Sequence, residues 1–228
     1  YDKIKWQQHP VIHIDFSMMT HDTSGNLEES IHLFLNKEAK KAGIEYTAAL
    51  IGEKLKELIE YLAGKAQVVI LVDEYDKAII GALPDVKKAG ANREVLRNLF
   101  DPLKGLDPYL KFVFLTGVTK FSKVSIFSGL NNLVDLTIDP RSATLLGITE
   151  EELGSCLSPW LEKLGGKEKL TPEALRAKIR LWYNGYSFDG ENRLYNPTSL
   201  FNLFDKGRFS NYWFATGTPS FLLDVIKK

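Results

Sequence analysis

The chain has 228 residues, with 29 basic and 29 acidic side chains, 44% hydrophobic residues and 25% charged ones. That balance describes a globular chain with ample material for a core, and its zero formal charge argues against a nucleic-acid binder held by bulk electrostatics. Cys156 is the single cysteine, which excludes an intrachain disulfide and fits a reducing compartment, and no apolar run approaches the ~20 residues of a membrane span.

The first predicted element is a strand over Pro10–Phe16. A helix follows: Asn26 is placed as its cap with Glu29 as the return half of a capping box, Leu27, Ile31, Phe34 and Leu35 share one face, and Gly43 ends it. A second helix carries Ile51, Leu55, Leu58, Ile59 and Leu62 and stops at Gly64. Gln67–Asp73 is a continuous apolar run ending in a carboxylate, and Lys111–Thr116 is a second such run. Runs of this kind read as strands buried on both faces of a parallel sheet. Between them a third helix is placed from near Asn92 through Val95, Leu96, Leu99 and Leu103, with Pro102 ending or kinking it because proline has no N–H for the ladder. Leu133–Ile138 alternates and is predicted as an edge strand. The order of strands and helices indicates an α/β fold with a parallel sheet.

Beyond Thr149 the texture becomes helical. Thr149 and Thr171-Pro172 read as helix starts, Ser187–Arg193 as a turn or small hairpin, and Asn196-Pro197 as another helix start. The boundary is placed in 140–149, giving domains 1–145 and 146–228. Twelve of the 26 aromatic residues lie between Trp182 and Phe221. Base stacking on single strands would need a basic groove, and Arg193, Lys206 and Arg208 there are balanced by Asp189, Glu191 and Asp205. An aromatic core for a small helical subdomain is therefore the preferred reading, and Cys156 is placed as a small buried residue. The chain opens without Met and closes just after the apolar pattern Phe221–Ile226, so it is expected to be a piece of a longer protein.

The sharpest chemical signal is Val68-Val69-Ile70-Leu71-Val72-Asp73-Glu74. An apolar strand ending in Asp-Glu has the Walker B pattern. Ligands bind at the carboxyl ends of strands in open α/β sheets, where Asp73 can hold Mg²⁺, a hard cation that prefers oxygen ligands. Glu74 can then orient and activate the attacking water as the catalytic carboxylate. A strand that merely meets solvent at two acids, one capping a helix, gives the same pattern. At the end of the next run Thr116 is the candidate γ-phosphate sensor, with Lys120 and Ser122 behind it; a Thr closing a strand before a turn glycine is the plainer alternative. No G-x-x-x-x-G-K-[ST] phosphate cradle occurs in the chain. His9, His13, His21 and His32 form no metal signature, and Asp15 is read as a turn-facing carboxylate.

Several segments together are familiar: His9–Ser17, Val72-Asp73-Glu74-Tyr75-Asp76-Lys77, Leu115–Ser122, Ser128–Leu133, Trp182–Tyr186, Tyr195-Asn196-Pro197 and Tyr212–Pro219. In order along the chain, they resemble the predicted AAA-ATPase-like family of bacteria and some anaerobic eukaryotes. The resemblance implies a P-loop NTPase-like fold of the additional-strand type, here lacking its first strand, with the strands present being the second to fifth. A helical, winged-helix-like subdomain follows. It also implies ATP as substrate, Mg²⁺ as cofactor, a cytoplasmic setting, and a longer parent that often carries a nuclease-like domain of the PD-(D/E)XK type. The family's Walker B acids fall on Asp73 and Glu74 and its polar segment on Thr116 to Ser122, with Lys120 among the nucleotide-sensing candidates. Its Walker A residues have no counterpart, so the fragment alone is expected to be inactive. The alternative is a non-enzymatic module that binds protein or nucleic acid on a degenerate ATPase fold.

Overall fold

A computed structural model describes residues 7–83, 85–118 and 133–212. These fall into two compact units that divide between Leu133 and Val134.

The first unit is built on three parallel strands, β1 (Val11–Asp15), β2 (Val68–Asp73) and β3 (Leu110–Leu115), in the order β1-β2-β3. The intervening helices are α1 (Ser24–Ala42), α2 (Ile51–Ala63), the single turn α3 (Lys77–Ile80) and α4 (Val86–Phe100). The helix faces read from the sequence are the ones that bury: Leu27, Ile31 and Leu35 of α1, and Ile51, Leu55, Leu58 and Ile59 of α2. They join Ile12, Ile14, Val68, Ile70, Val72 and, from α4, Val95, Leu96, Leu99 and Phe100 in one core. Gly43 closes α1 in the left-handed conformation, φ 79°, where a Cβ would be strained.

Local details differ from the sequence reading. The N-cap of α1 is Thr23, whose hydroxyl accepts the Asn26 N–H at 3.1 Å, while the Asn26 amide donates to Asp22 at 2.7 Å. Asn26 therefore stands inside the first turn that it was expected to cap. Helix α4 starts at Val86, capped by the Asp85 carboxylate accepting from Lys87 N and Lys88 N. Asn92 is a buried interior residue whose amide donates to Ala78 O at 2.8 Å and His21 O at 3.2 Å. Tertiary acceptors thus take up the amide N–H groups of a side chain that the sequence reads as a start signal, while its carbonyl oxygen stays buried without a partner among the described residues. Pro102 lies in a 3-10 turn directly after α4, as a missing N–H requires.

Two expectations about the sheet are corrected. The residues 133–138 form no strand; Val134, Leu136 and Ile138 are exposed. The Asp135 carboxylate accepts from Thr137 N at 3.0 Å and the Ser142 hydroxyl donates to Leu136 O at 2.8 Å. Such local side-chain to backbone bonds offer the chain a turn in place of a ladder. Nor, among the described residues, do helices cover both faces of the sheet. Ile12, Ile14, Val68, Ile70 and Val72 face the helices, but Val11, Phe112 and Phe114 are exposed on the other side, with the two phenyl rings stacked at 5.9 Å. Among the described residues no strand pairs with the outer edge of β3. An apolar parallel edge of this kind invites association. The isolated 228-residue chain is accordingly expected to self-associate at micromolar concentration, and Phe112→Lys with Phe114→Lys to reduce it. Sedimentation velocity checks this, and a monodisperse monomer for the unaltered chain would contradict it.

The second unit, described over residues 134–212, is mainly helical: α5 (Glu150–Ser155), α6 (Ser158–Glu168), α7 (Pro172–Tyr183) and α8 (Pro197–Lys206), with a hairpin of β4 (Asn184–Tyr186) and β5 (Leu194–Tyr195). Thr149 and Glu152 form a reciprocal capping box, Thr171 and Asn196 cap α7 and α8, and proline stands in the first turn of both. Its core gathers Leu153, Leu161, Leu164, Leu175, Ile179 and Leu200 with Tyr183, Tyr195 and Tyr212. The buried Tyr195 hydroxyl donates to Glu150 at 2.6 Å, and Arg180 completes the pair at 3.0 Å. Of the crowded aromatics, Tyr183, Tyr195 and Tyr212 are buried and Phe204 and Phe209 pack against this core, whereas Trp182, Tyr186 and Phe201 are exposed; Trp213, Phe214 and Phe221 lie outside the described residues. Cys156 is exposed and not buried; it stands at the C-terminal end of α5, where the helix stops.

Candidate functional site

The carboxyl ends of all three parallel strands lie at one edge of the first unit. Asp15 ends β1 and is in register with Asp73, which ends β2. β3 runs parallel to β2, with Leu115 opposite Val72, so Thr116 follows at the same edge. The ladder continues one step beyond the strands: Thr116 N donates to Val72 O at 2.8 Å and Tyr75 N donates to Thr116 O at 3.1 Å. Backbone pairing therefore fixes Thr116 beside the Asp73-Glu74 pair, across more than forty residues of sequence.

The side chains meet there. The Thr116 hydroxyl donates a short hydrogen bond to Asp73 Oδ1, and the same oxygen accepts the Glu74 N–H at 3.0 Å. Glu74 has φ 49°, a left-handed conformation that a non-glycine residue holds only when its surroundings enforce it. Its carboxylate accepts from the Lys77 ammonium at 2.9 Å, the first residue of α3. Tyr75 and Asp76 are buried, and Asp76 accepts the Val118 N–H at 3.2 Å, tying the segment after β2 to the segment after β3. Gly117 makes that approach feasible: a Cβ there would lie 2.7 Å from Tyr75 Cε1 and 2.9 Å from Asp76 Cγ.

Electrostatics follow the geometry. Asp15 is held below the ordinary carboxylate range, chiefly by the Ser17 side chain, with the Ser17 N–H (2.8 Å) and the His13 and Lys77 charges adding to it against desolvation. Lys77 is raised, first by its hydrogen bond to Glu74 and the charge of Glu74, with Asp15 and Asp76 contributing less.

For Mg²⁺ the relevant donors are the exposed Asp73 carboxylate and the Thr116 hydroxyl, two hard oxygens on adjacent strands. Among the described residues no group of three or more His, Cys, Asp or Glu could form a protein cage. One carboxylate with a hydroxyl beside it fits an ion that keeps several waters and takes the rest of its shell from phosphates. Lys120 and Ser122 lie outside the described residues. The sequence reading missed Lys77 and Gly117. Lys77 was legible as a partner three residues from Glu74 at the start of a helix, whereas the role of Gly117 depends on a contact that only folding makes.

A family model described as AAA-ATPase-like, predicted AAA-ATPase, matches residues 2–127. A protein of Azotobacter chroococcum mcd 1, named as the uncharacterized protein in the vnfD 5′ region, is 41% identical over 229 residues. The alignment covers 99% of this chain and 42% of that protein, so the chain spans about two-fifths of its relative's length. No solved structure matches. No helix among the described residues is long and apolar enough to cross a membrane.

Proposed function

This chain belongs to the predicted AAA-ATPase-like family, and from that premise we propose that it supplies the acidic half of an ATP-hydrolysing site in a longer protein. The observation that carries the reading is the placement of Asp73, Glu74 and Thr116 together at the carboxyl edge of adjacent parallel strands, where α/β sheets take their ligands. In this reading Asp73 holds Mg²⁺, Glu74 orients the attacking water, and Thr116 reports on the γ-phosphate while fixing the Asp73 carboxylate. Bound Mg²⁺ would neutralise charge on the transferring phosphate. The chain's own part is positional: Thr116 and the Glu74 N–H hold Asp73, and the turn of Glu74 out of the strand sets where its carboxylate stands.

The phosphate cradle belongs, in this proposal, to a segment of the longer protein, as does the additional strand of a P-loop NTPase-like sheet. The outer edge of β3, which no strand pairs among the described residues, supports that placement. The second unit is read as a winged-helix-like relay to an effector such as a nuclease-like domain, with the whole at work in the cytoplasm, where the exposed Cys156 stays reduced.

The test is calorimetry with Mg²⁺-ATP. The full-length protein is expected to bind, and the isolated 228-residue chain to bind at least about a hundredfold more weakly, because it lacks the charge-assisted N–H and lysine contacts of a cradle. No binding by the full-length protein would leave a non-enzymatic interaction module as the better reading.

A further inference from the structure

The two acids at the end of β2 are held by different partners. Asp73 is held from the β3 side by the Thr116 hydroxyl. Glu74 is held by Lys77, on a helical turn that packs against the residues 16–18 following β1, and the Lys77 ammonium also lies in the field of Asp15 at the end of β1. The backbone at Glu74 is left-handed, φ 49°, where the chain leaves β2. We propose that Lys77 is a latch on Glu74: the ion pair keeps this carboxylate engaged on the β1 side, and Glu74 orients water only when the pair opens. The inference rests on the reading of Glu74 as the water-orienting group.

The chemistry favours a latch over a permanent support. An oxygen already accepting from an ammonium has less capacity left to accept a hydrogen bond from a water. Both side chains are partly exposed, Lys77 at 46% and Glu74 at 35%, so the pair is weak enough to exchange. Lys77 is therefore a positioning residue acting through Glu74, and in this proposal the pair opens when nucleotide occupies the site.

The experiment uses the full-length protein, with Lys77→Met, Lys77→Arg, Glu74→Gln and the double variant Lys77→Met/Glu74→Gln. Lys77→Met is expected to raise kcat for ATP hydrolysis by about two- to fivefold, the scale of an exposed ion pair, with KM unchanged. Lys77→Arg should stay near wild type because it keeps the pair, and the double variant should be as inactive as Glu74→Gln. The second readout needs no turnover: the rate at which an acylating reagent modifies Lys77, followed by mass spectrometry. It should rise in Glu74→Gln without nucleotide, and in the wild type when a non-hydrolysable ATP analogue is added. A kcat for Lys77→Met that is unchanged or lowered overturns the latch, as does a Lys77 labelling rate indifferent to both perturbations. Wild-type hydrolysis by Glu74→Gln, or no hydrolysis by any variant, overturns the site reading itself and the latch with it.

Discussion

Glu74→Gln in the full-length protein is expected to leave Mg²⁺-ATP affinity within about twofold and to slow phosphate release by a hundredfold or more, the usual contribution of a positioned acid-base group. The amide keeps the size and the exposed position of the side chain, so the fold has no reason to change. It loses the charge that draws and orients a water. Asp73→Ala should act on a different step. It removes the carboxylate fixed by Thr116 and by the Glu74 N–H, and should weaken nucleotide binding in the presence of Mg²⁺ by about tenfold or more, the scale of losing a contact to a charged group worth about 1.5–3 kcal/mol. Calorimetry and a phosphate-release assay separate the two. Hydrolysis by Glu74→Gln at the wild-type rate would remove the catalytic assignment, whatever Asp73 does.

The second large effect is on stability. Gly52 lies in the first turn of α2, where a Cβ would stand 2.3 Å from Asn98 O of α4 and 2.9 Å from Pro102 Cγ. A helical Gly→Ala change ordinarily gains up to about 1 kcal/mol in propensity. Here the obstacle is a backbone carbonyl, which cannot rotate aside, and overpacking costs about 1–3 kcal/mol or more. The clash wins, and Gly52→Ala is expected to destabilise the first unit by about 2 kcal/mol, a large part of a typical reserve of about 5–15 kcal/mol. Gly25→Ala in α1 is the control. Its nearest neighbour beyond the local chain is Thr23 Oγ1 at 3.9 Å, so it should be neutral or stabilising. Urea midpoints followed through the first unit decide this, and equal midpoints for the two variants would show that α2 and α4 separate to make room.

The central strands, helix faces and most helix starts were legible in the sequence because each is set by neighbours within a few residues. Val68–Asp73 is an apolar run with a polar end whatever surrounds it, and Thr149 can reach only its own first turn. The same locality explains why Asp73 and Glu74 could be singled out. Asn26 and Asn92 failed as start signals because a cap-forming side chain is also a good partner for something nearer or better placed: Asp22 for one, the carbonyls of Ala78 and His21 for the other. Residues 133–138 failed because alternation shows what a strand could bury, and not whether a partner stands beside it.

By itself, then, the amino-acid sequence determined the identities at the ends of the strands: a carboxylate pair after β2 and a hydroxyl after β3. Only the tertiary structure decided that they meet. The parallel register of β2 with β3 carries Thr116 to Asp73, and the bare side chain of Gly117 lets the two following segments close on each other. It also decided that, among the described residues, helices pack on one face of the sheet and leave Val11, Phe112 and Phe114 exposed on the other, since covering a face depends on where helices pack and not on how apolar a strand is. The direction of Glu74 is the clearest case. Nothing in Asp73-Glu74 alone fixes which way the second carboxylate turns; the spacing offers Lys77 as a partner, but the left-handed backbone at Glu74 that accompanies the pairing is seen only in the folded chain.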